Sequence, residues 1–150
     1  MLYTLALSLA ALFGGMLISV QAGINAQLSR SLGLPLGAAT ISFAVGLVAL
    51  LGLGLIGRVG LPSLQALKAV PPHLLFTGGL LGATFVFGSI MLAPRLGAGA
   101  LVALVVTGQL LTALVLDQFG LVGFPEHALT TGRAIGAVLL IAGVVLVRFF

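Results

Sequence analysis

The sequence predicts an all-α, polytopic integral membrane protein with five transmembrane helices, and three observations predict it. Only 6 Lys or Arg and 2 Asp or Glu occur among 150 residues, 61% of which are hydrophobic, whereas about a quarter of an ordinary soluble domain is charged. With a mean hydropathy of +1.36, the chain has too few polar side chains to cover a water-facing surface. The charges also fall singly and far apart, leaving long apolar runs between them. Those runs do not alternate with a period of two residues, so a membrane β-barrel is not expected. In lipid the other way to satisfy every backbone N–H and C=O is a helix.

A spanning helix needs about 20 residues, and the charge-free runs Met1–Ser29, Ser31–Gly57, Ala69–Pro94 and Leu96–Leu116 each supply that length. The first run has no basic start and continues uncharged to Arg30, so it reads as a membrane helix over residues 2–29 rather than as a cleaved leader. Gly33-Leu34-Pro35 breaks the chain, and a second helix is expected over 36–56. The connection from Arg58 to Pro72 contains Ser63–Val70, which fits either a short surface helix with Leu64, Leu67 and Val70 towards lipid or a plain linker. Pro71-Pro72 opens a third helix over 73–93, Pro94–Gly97 separates it from a fourth over 98–119, and Gly120–Pro125 ends that one. The fifth, over 131–149, has only a short charge-free stretch between Arg133 and Arg148, so it spans if both arginines snorkel towards headgroups. Residues 1–150 read as a single five-helix domain. The turns Arg30-Ser31-Leu32-Gly33 and Arg95-Leu96-Gly97 look alike, which leaves open an internal hairpin repeat or a coincidence of basic caps.

Composition also narrows the function. Without cysteine there is no disulfide framework or thiolate nucleophile, and His73 and His127 are too far apart for a metal-ligand pair. No Ser-His-Asp order, paired catalytic carboxylates or phosphate-cradling glycine loop can be assembled, so neither an enzyme nor a cofactor or metal is expected. Transport, if present, would draw on an ion gradient or the solute's own. The net charge of +4 comes from scattered basic residues that form no patch, which points to lipid headgroups rather than nucleic acid.

If the five helices alternate in direction, Arg30, Arg95 and Arg148 fall on one side of the membrane and Arg58, Lys68 and Arg133 on the other. Orientation normally follows an excess of Lys and Arg in cytoplasmic loops, and here the sides balance. The expectation is dual insertion, with oppositely oriented copies pairing as an antiparallel, ten-helix homodimer that supplies the inverted repeat many transporters carry within one chain. A single orientation set by helix hydrophobicity or by a partner is the alternative.

Polar residues inside the apolar runs are the candidate site. Gly14, Ile18, Gln21 and Asn25 follow helical spacing and share one face of the first span, with Gln21 near mid-bilayer. Gln109, with Thr112 turned roughly the same way, occupies the fourth span. Uncharged amides donate and accept, so Gln21, Asn25 and Gln109 are expected to bind substrate; interhelical hydrogen bonding is the competing role. Asp117, the acidic residue of the spans, is the candidate for ion coupling against an ordinary solvated helix-end carboxylate. Phe43, Phe85 and Phe87 fit aromatic walls or plain packing, and the glycines at 78, 82, 132, 136 and 143 allow close helix approach.

Five strings, Gln21-Ala22-Gly23-Ile24-Asn25-Ala26-Gln27-Leu28, Gly78-Gly79-Leu80-Leu81-Gly82-Ala83, Leu92-Ala93-Pro94-Arg95-Leu96-Gly97, Gly108-Gln109-Leu110 and Asp117-Gln118-Phe119-Gly120, closely resemble the YdcZ-like branch of the drug/metabolite transporter (DMT) superfamily. The resemblance covers nearly the whole chain. It implies a multi-pass bacterial inner-membrane protein of five helices, in a family of single dual-topology genes, oppositely oriented pairs or fused antiparallel halves. It further implies a secondary transporter or exporter of a small organic solute, with the lipid bilayer, the solute and a second copy as partners. Related small multidrug exporters depend on a glutamate in their first helix, where this chain has only Gln21 and Asn25, and relatives often carry a histidine where this chain has Gln118. A passive channel for a small ion and a non-transporting membrane scaffold are the alternative functions.

Overall fold

The computed structural model describes residues 2–150, and its regular structure is entirely helical: α1 (Leu2–Leu32), α2 (Pro35–Ile56), α3 (Leu64–Ala69), α4 (Pro72–Leu96), α5 (Ala98–Phe119) and α6 (Thr131–Phe149), with a single 3-10 turn at Leu121–Gly123. All but α3 are long and apolar enough to cross a membrane. The expected class and five spans are what the chain forms.

Each boundary has a local cause. At the end of α1, Gly33 takes a φ of 66°, which L side chains rarely adopt, and Pro35 then opens α2, where its missing N–H costs no helical bond. α1 therefore runs three residues beyond the expected limit at 29, and its 31 residues give a rod of about 46 Å, longer than the hydrocarbon core. Pro94 lies inside the last turn of α4 without ending it; the break comes at Gly97, with φ 77°. The connection after α2 resolves in favour of the surface helix: the Ser63 hydroxyl accepts the Ala66 N–H and caps α3.

The chain divides into two compact units, the first ending at Arg95 and the second Leu96–Phe150. In the first, α1 and α2 form a hairpin. Ala38, with no exposed surface, and Ala39 leave room for Ile90 of α4 to pack between them, with Leu28 and Val86 alongside. Small residues do in lipid what large apolar ones do in water, because packing rather than solvent exclusion draws membrane helices together. In the second unit α5 packs on α6, and Ala100, Leu101, Ala137 and Val144 are its buried apolar residues. Large apolar side chains such as Phe13, Leu47, Leu80 and Leu139 point outward, the arrangement a lipid solvent permits.

Candidate functional site

Polar side chains gather inside the first unit. α1 presents Ile18, Gln21, Ala22 and Asn25 on one face, as helical spacing requires, and with Ser89 and Phe85 of α4 they line a narrow crevice. Asn25 is 6% and Ser89 7% exposed. The Asn25 Nδ2 donates to the Oγ of Ser42 on α2 at 3.2 Å, which partners a buried amide whose isolation in an apolar setting would be costly. Next to the crevice, and sharing Gln21 with it, a larger cleft of about 360 Å³ is bordered by Gln21 and Ser42 and otherwise walled by Phe43, Gly46, Leu47 and Leu50. Gln21 lies about 16 Å along the axis from the end of α1 at Leu32, near half the thickness of the hydrocarbon layer.

Gln21 and Asn25 are thus brought to one crevice. Gln109 and Asp117 belong to the second unit. Gln109 lies on an exposed part of α5, and Asp117 forms an ion pair with Arg133 of α6. Around that pair the connection between α5 and α6 folds back. The His127 N–H donates to the Asp117 carbonyl at 2.7 Å, the Leu129 N–H donates to the Gln118 Oε1 at 2.6 Å, and the Arg133 Nη1 donates to the His127 carbonyl at 3.0 Å. Gln118 therefore holds the loop. His127 is tied to the helix end through its backbone, while its side chain stays exposed.

Sequence reasoning did not single out Ser42 or Ser89. Isolated hydroxyls occur in most apolar runs of this chain, and only helix packing separates these two from the rest. Phe43 and Phe85, flagged as possible aromatic walls, do border the cleft and the crevice. Among the described residues no cluster of His, Cys, Asp or Glu could hold a metal.

A family model described as "Putative inner membrane exporter, YdcZ" matches residues 6–146. "Inner membrane protein YdcZ" of Escherichia coli (strain K12) is 45% identical over 69 residues, which cover 46% of this chain and 46% of that protein. The matched stretch spans about half the relative's length. No solved structure matches at a significant level. Together with the five membrane-spanning helices, these matches make the chain a multi-pass protein of the bacterial inner membrane.

Proposed function

The chain belongs to the YdcZ inner-membrane exporter family, and from that premise and the polar seam of its first hairpin we propose that it is a secondary transporter exporting a small organic solute as an antiparallel homodimer. The observation that carries this reading is the Gln21, Asn25 and Ser42 group, set at bilayer depth in helices otherwise almost wholly apolar. Polar residues are costly there and mark solute pathways more often than chance placement would. Gln21 and Asn25 contact the solute, and Gln109, exposed on α5 of the second unit, is a separate candidate for solute contact. The equal division of basic residues between alternate helix ends supports insertion in both directions, and two inverted copies supply the symmetry that alternating access uses.

Asp117 is the group available for ion coupling. Its carboxylate already rests on a cation the chain supplies, so coupling through it requires the Arg133 pair to open. The test is a comparison of solutes released into the medium by cells overproducing the chain or its Asn25→Leu variant, followed by efflux of any enriched solute from proteoliposomes. We expect at least one solute whose release depends on Asn25. Identical release from the two, with both proteins inserted equally, contradicts the role of Asn25, and release no different from that of cells lacking the protein contradicts the transport reading.

A further inference from the structure

Most helix hydroxyls in this chain are spoken for locally: Ser19, Ser31, Thr40, Thr84 and Thr107 each donate to the carbonyl four residues back. Ser89 makes no such bond although it is 7% exposed. Among the described residues no fully enclosed side-chain polar atom lacks a partner, so the Ser89 oxygen keeps open surface, and Ser89 lines the crevice. Asn25 opposite it spends one Nδ2 hydrogen on Ser42, which leaves its second N–H and its Oδ1 for another group. Gln21 adds a further amide and borders both the crevice and the neighbouring cleft.

The two spaces differ in kind. The crevice leaves only about 10 Å³ for the centre of a water-sized group, enough for one. The cleft of about 360 Å³ falls within the range of small-molecule sites, and past Gln21 and Ser42 its walls are Phe43, Gly46, Leu47 and Leu50. Neither lining carries a charged side chain, so an ion would lose its hydration there without a counter-charge to replace it.

We propose that the crevice and cleft, which meet at Gln21, together form the binding site for a small uncharged amphiphile, whose hydroxyl or amide NH2 enters between Asn25 and Ser89 while its apolar body lies along Phe43, Leu47 and Leu50. The site rests on the transport reading above and names the class of solute it would carry. Gln21 selects for a solute able to accept or donate where head and body join. Carboxylates and ammonium ions of the same shape are rejected by the cost of desolvating their charge.

The test is thermal unfolding of the full-length protein in lipid nanodiscs, with short-chain 1,2-diols and primary amides compared against carboxylates and alkylammonium ions of matched length. The neutral compounds are expected to raise Tm by about 2–4 °C in several-fold excess over Kd, and the ions are not. Ser89→Ala should lose most of the shift. Gly46→Leu, placed where a Cβ meets nothing within 4 Å, should lose it for the longer chains only, without touching a polar group. A shift from the ions alone overturns the solute class and leaves the transport reading standing. A neutral shift retained in both variants overturns the site, and no shift from any compound overturns the proposal, while the release experiment judges transport separately.

Discussion

The Nδ2 of Asn25 donates to the Oγ of Ser42 at 3.2 Å, tying α1 to α2. The bond serves two ends at once. It partners a buried amide that lipid cannot hydrate, and it fixes the side chain that faces the crevice shared with Ser89.

A double-mutant cycle measures that bond. Asn25→Leu and Ser42→Ala should show a coupling of about 0.6 kcal/mol, the usual size of a hydrogen bond between membrane helices, and no more than about 2. Reversible unfolding in mixed micelles reads it. Strict additivity of the two substitutions contradicts the contact.

The Asp117–Arg133 pair fastens the turn between α5 and α6, with the two side chains 24% and 33% exposed. At that exposure it contributes under about 1 kcal/mol to stability. Asp117→Asn should therefore leave Tm almost unchanged while hydrogen exchange at the amides of His127 and Leu129 accelerates. Exchange that stays as slow as in the parent protein contradicts the clamp.

Val122 sits at φ 55° and ψ 27°, a left-handed conformation that crowds a β-branched side chain, and it is 82% exposed. Val122→Gly should stabilise the protein by a few tenths to about 1 kcal/mol, the relief of strain being partly offset by the flexibility glycine adds to the unfolded chain. Val122→Asn should act in the same direction. Loss of stability in both variants contradicts the strained turn.

The spans were legible because the features that end a membrane helix are conspicuous in this sequence. Single arginines and the pairs Gly33–Pro35, Pro71-Pro72 and Gly120–Pro125 stand out against long apolar runs. Spacing alone also set Gln21 and Asn25 on one face of α1, and both line the same crevice. Their partners were not legible. Ser42 and Ser89 look like any hydroxyl in an apolar run until α2 and α4 pack against α1. The same holds for Arg133, which reads as a helix-end anchor and meets Asp117 only because the intervening connection turns back on itself.

The proposed transport depends on insertion in both directions and on an inverted pair. The chain contains no cysteine, so a single Phe150→Cys substitution gives a labelling site free of background. Intact spheroplasts treated with a membrane-impermeant maleimide, before and after permeabilisation, report which side that residue occupies. Dual insertion gives comparable fractions labelled from outside and only after permeabilisation; labelling confined to one side of the membrane contradicts it.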